Sequence, residues 1–146
     1  MLADLVNGDH ARTERGLARS VTVDKRQPVR ATLLMTSLRV LTWCCVVLLA
    51  VLSLLPAEQM VRTRLPGRLE HFVAYAGSAA IAVAGYGVSP GSIQIIGSFW
   101  VYAGILEYLQ HFSPGRHPSI ADFAASAFGA LCGGLAIALV WRRLSV

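Results

Sequence analysis

Charge is scarce in this chain. Only 14% of its 146 residues are Asp, Glu, Lys or Arg, against about a quarter in a soluble domain. Disulfide chemistry is missing as well. There are three cysteines, with no Cys-x-x-Cys and no Cys/His metal spacing, which excludes a disulfide framework and a zinc module. Cys44, Cys45 and Cys132 each sit inside an apolar run, where a thiol is a small apolar filler. Glycine-rich phosphate loops, a Ser-His-Asp order and nucleic-acid signatures are absent, so no nucleic-acid partner is expected. Glu107 and His111 stand at i, i+4, and His71 and Asp122 could join them, but without His-Glu-x-x-His or Glu-x-x-His no metal and no cofactor is expected.

What the chain has instead is hydrocarbon. It is 55% hydrophobic, with mean hydropathy +0.56, and the apolar residues come in blocks long enough to cross a bilayer. The first block runs from about Leu38 to Leu55, and Leu33 to Leu38 extend it, with Arg39 snorkelling. Pro56 ends it. The second runs from about Leu69 to Val88, the third from Ile93 to Phe112 and the fourth from Ser119 to Trp141. The short link Ser89 to Ser92 makes the middle two antiparallel neighbours. Pro66-Gly67 and Ser113-Pro114-Gly115 are the turn signals between blocks. The reading is an all-α integral membrane protein: a bundle of four transmembrane helices over 32–146, preceded by a mostly disordered basic tail over 1–31. That tail determines topology or touches anionic lipid.

Block four carries a ridge of small residues at Ala121, Ala125, Gly129 and Gly133, the pattern that lets helices approach closely in lipid. In block two His71, Tyr75, Ser78 and Ala82 share one stripe. In block three Trp100, Ala103 or Gly104, Glu107 and His111 share another, with Gln110 beside it.

Four spans place both termini on one side. Lys25, Arg26, Arg30, Arg39, Arg142 and Arg143 give that side six positive charges, and Arg62, Arg64, Arg68 and Arg116 give the other four. Six against four favours cytoplasmic termini in the cell membrane. Arg68, His71, Glu107, Gln110, Arg116 and Asp122 then fall together on the outer side. An ionisable group at membrane depth costs a few kcal/mol unless it is partnered. Glu107 is therefore expected either in an ion pair with Arg116 or His71, or at a capped, water-reached helix end. Ser119 and Asp122 form Ser-x-x-Asp ahead of an apolar run, a capping box, and a helix start also receives anions. Arg116 is expected to clamp Glu107 or a phosphate, or to meet a headgroup. His71 is a base, a ligand or an interhelical donor. Tyr75 is more often packing, and His111 and His117 are ordinary interface residues. The candidate ligand site is Arg68, His71, Tyr75, Glu107, Gln110, Arg116, Ser119 and Asp122, and any catalytic role would fall to His71, Glu107, Arg116 or Asp122.

These residues carry a resemblance. A His at the start of the second span, Glu-x-x-Gln-x-Phe, a Pro-Gly-Arg turn and an Asp opening a glycine-rich last helix resemble the VanZ-like family, named for a protein linked to teicoplanin resistance. The matching residues are His71, Glu107, Gln110, Phe112, Arg116 and Asp122, and the likeness covers about Pro66 to Arg143. The family often has Asp-Lys ahead of the His, where this chain has Gly67 and Arg68. The resemblance implies a small multi-helix protein of the bacterial cell envelope. It supplies no settled activity, and resistance itself does not transfer. From the residues, two functions compete: recognition of an anionic headgroup or lipid-linked envelope precursor, and an intramembrane enzyme acting on a lipid phosphate or ester with His71, Glu107 and Arg116. A third reading makes the polar set a structural fastening.

Overall fold

A computed structural model describes residues 26–59, 66–87 and 91–144. Among them the secondary structure is all helical: α1 (Arg26–Leu54), α2 (Gly67–Tyr86), α3 (Gly91–Leu109) and α4 (Ile120–Leu144), with 3-10 turns at Ala57–Gln59 and Gln110–Phe112. The expected tail up to Lys25, the cations Arg62 and Arg64, and the first half of the link between the second and third blocks lie outside the described residues. The chain divides into two compact units, 1–32 and 33–146, and α1 begins in the first of them. That start, at Arg26, precedes the expected end of the tail at residue 31. Arg, Gln and Ala are good helix formers, and Pro28 falls in the first turn, where a missing N–H costs nothing.

Two of the four helices, over Val29–Leu54 and Ile120–Leu144, are long and apolar enough to cross a membrane. Large apolar side chains are exposed along all four, among them Trp43, Val47, Val73, Val101, Ile105, Leu135 and Leu139.

The interior is built from small residues. α2 packs most extensively on α4, and α3 packs next on α4. Gly129 and Gly133 lie so close to α2 that a Cβ on either would overlap the carbonyl oxygens of Phe72 and Ala76. This is the close approach expected of the small-residue ridge, and it lets packing rather than water exclusion hold two helices together. α4 thus presents two stripes. Asp122, Ser126, Gly129 and Gly133 face α2, while Phe123, Ala127 and Gly134 face α3. In α3 the buried stripe is Ile96, Phe99, Ala103 and Leu106, continued by Gln110. The neighbouring stripe meets α4: Trp100 Nε1 donates to Ala127 O at 2.8 Å, and Gly104 faces the Phe123 ring.

α1 is fastened mainly by side chains. Tyr102 Oη donates to Val46 O at 2.6 Å in its C-terminal half. Midway along α1, Gly85 admits Leu38, and Arg39 Nε donates to Gly85 O at 3.0 Å while its guanidinium stacks over the Tyr86 ring. Arg39 is therefore held at the C-terminus of α2, where carbonyls lack helical partners.

Candidate functional site

One end of the bundle gathers the C-termini of α1 and α3 and the N-termini of α2 and α4. Seven of the eight expected site residues lie there, Tyr75 being midway along α2 in the core, and the structure divides them among separate contacts.

Between α2 and α4, Arg68 Nε lies 3.8 Å from Asp122 Oδ1. One turn deeper, His71 Nδ1 and Ser126 Oγ are 3.3 Å apart. Of the roles open to His71, this geometry is the interhelical hydrogen bond. Between α3 and α4, Glu107 Oε1 accepts the Ser119 backbone N–H at 2.5 Å. Glu107 thereby supplies, from another helix, the acceptor that the capping box assigned to Asp122, whose carboxylate has turned to Arg68. A carboxylate at a helix start also meets the positive end of the helix dipole.

Arg116 corrects the expected pairing with Glu107. Its Nη2 donates to Leu52 O at 2.7 Å and its Nε to Leu55 O at 3.2 Å. α1 stops at Leu54 ahead of Pro56, so its last carbonyls have no N–H to accept, and a guanidinium fork satisfies two of them at once. Ser113 Oγ donates to Leu54 O at 3.1 Å, and Ala57 N donates to Pro114 O at 3.2 Å. The turn between α3 and α4 is therefore a clasp on the end of α1. Gly115, at φ +73°, supplies the left-handed step that the turn requires.

Tyr75 is packed in the core, 2% exposed, with its ring edge-on to Phe99. Gln110 is 4% exposed, and its Nε2 has no partner among the described residues. Sequence reasoning missed Tyr102, Ser113 and Ser126 as fasteners. A Tyr inside an apolar run, and a Ser before Pro-Gly, were the available signals.

Beside Glu107 a groove of about 350 Å³ opens between α3 and α4. Gly104 and Phe123 line its apolar part, and Glu107, Tyr108, His111 and Ser119 its polar part. Among the described residues no three of His, Cys, Asp and Glu come together as a metal site.

No family model, no curated protein and no solved structure matches the chain.

Proposed function

We propose that this is a four-span protein of the bacterial cell membrane, of VanZ-like type, with both termini in the cytoplasm, that recognises an anionic lipid headgroup or lipid-linked envelope precursor at the outer rim of the bundle. Two spans are long and apolar enough by themselves. α2 and α3, at 20 and 19 residues, reach roughly 30 Å each, the thickness of the hydrocarbon layer. Their exposed Val73, Val101 and Ile105 suit lipid. Polar and glycine-rich stretches dilute both, which fits helices that line the interior of a bundle.

The observation that carries the binding reading is Arg68. Its side chain is 72% exposed at the mouth of α2, and its one contact among the described residues is the 3.8 Å approach to Asp122. Such a contact is worth less than about 1 kcal/mol, so an anionic headgroup can share the guanidinium at little cost. Asp122 orients the fork without saturating it. Arg116 contributes differently: two of its donors hold α1, and the rest of the guanidinium remains at the same rim.

The enzyme alternative finds less support. Its three residues are each bonded elsewhere: His71 to Ser126, Glu107 to Ser119, Arg116 to α1. Ser126, the hydroxyl next to His71, is only 2% exposed, too buried to act as a nucleophile.

The test is retention of phospholipid against diacylglycerol of the same acyl chains, read by native mass spectrometry of the detergent-solubilised chain. Phospholipid is expected to be retained preferentially, and Arg68→Ala to reduce that preference several-fold while leaving the melting temperature within about 2 °C, as for a surface pair. Equal retention of the two lipids would sink the reading.

A further inference from the structure

The groove beside Glu107 is explained by none of the contacts that hold the bundle together. Its lining includes the exposed side chains of Ile120, 87% exposed, and Tyr108, 66%, and the ring of Phe112, 74% exposed, stands beside that of Tyr108. On its wall stands a carboxylate with one oxygen engaged. Oε1 of Glu107 takes the Ser119 N–H, and Oε2 has no partner among the described residues. Of the described arginines at this end, Arg116 is turned to the carbonyls of α1 and Arg68 to Asp122. Glu107 is thus a carboxylate lining a groove whose surroundings are hydrocarbon. The occupant that complements it has N–H donors and positive charge at one end and an apolar body at the other.

We propose that the groove receives the primary ammonium of an amine-bearing phospholipid headgroup, bound to the free oxygen of Glu107. This deepens the lipid reading above and rests on it. The ammonium donates N–H bonds to Oε2, a charge-assisted pair in a partly dried site. The exposed ring of Tyr108, 6.2 Å from that of His111, offers a face for the cation. The acyl chains run outward past Ile120 and Phe112 into the lipid. A groove of about 350 Å³ suits a headgroup and not a whole lipid, which leaves the chains in the bilayer. A quaternary ammonium has no N–H to give, and a glycerol headgroup has no positive charge, so both are discriminated against.

The test uses the full chain in detergent with equal amounts of phosphatidylethanolamine, phosphatidylcholine and phosphatidylglycerol of one acyl composition, and reads retained lipid by native mass spectrometry. Phosphatidylethanolamine is expected to be retained about tenfold over either competitor, the worth of one charged hydrogen bond. Glu107→Gln, which keeps an oxygen for the Ser119 N–H, is expected to level the three. Should that variant fail to fold, Gly104→Leu serves, because it fills the groove next to Phe123 and leaves Glu107 in place. Equal retention of the three lipids by the wild type, or an unchanged preference in the folded variants, overturns the proposal but leaves the phosphate-at-the-rim reading intact. Phospholipids retained no better than diacylglycerol would bring down that parent reading instead. Free phosphoethanolamine bound as tightly as the lipid would overturn the membrane as the source of the amine.

Discussion

Arg39, Arg116 and Glu107 share one use. Each carries its charge to the end of a helix to which it does not belong: the arginines to the carbonyl ends of α2 and α1, the carboxylate to the amide end of α4. A helix end in lipid cannot turn to water for its missing bonds, so a charged side chain from a neighbour is the available partner. Arg116→Ala is expected to destabilise the detergent-solubilised protein by about 2 kcal/mol, since it leaves two carbonyls unmatched, and Arg116→Lys to recover part of that. Thermal unfolding checks both. Gln110 points the other way. Its buried Nε2 has no partner among the described residues, and Gln110→Met removes an orphaned donor at similar volume. A gain of about 1 kcal/mol is expected in the same melt; a loss would show that the amide has a partner when the protein sits in lipid.

Among the helices, α2 and α4 form the rigid unit and α1 an attached one. Gly129 and Gly133 set the α2–α4 spacing, because the opposing atoms are backbone and cannot rotate aside. Gly133→Ala is therefore expected to cost at least about 2 kcal/mol, and Gly133→Leu to prevent folding, with loss of the folded peak in size-exclusion chromatography as the readout. α1 depends on single bonds by comparison. Removing the Tyr102 hydroxyl, as Tyr102→Phe, deletes its attachment to Val46 O and should cost about 1 kcal/mol.

For the molecule as a whole, the described Asp, Glu, Arg and His residues other than Arg39 fall near helix ends or in the turns, and exposed hydrocarbon lies between them. If four spans cross the bilayer, the two ends differ in accessibility. With Cys44, Cys45 and Cys132 replaced by Ala, Glu58→Cys and His117→Cys are expected to react with a membrane-impermeant maleimide in intact cells, and Arg143→Cys only after permeabilisation. The reverse pattern would invert the topology, and labelling of all three positions would remove it.

The helical blocks, their order, the glycine ridge and the turn at Pro114-Gly115 could be read from the residue string, because each is a local matter of period, length or backbone freedom. α4 starts within a residue of the expected place, and the stripe from Trp100 to His111 does face it. Which partner each charged group takes could not be read that way. Glu107 and Arg116 are nine residues apart and opposite in sign, which invites a pair. In the folded chain the end of α1 captures the arginine, and the start of α4 captures the carboxylate. Unsatisfied backbone at a helix terminus becomes a competitor only once another helix end is brought beside the side chain, and that proximity belongs to the assembled bundle.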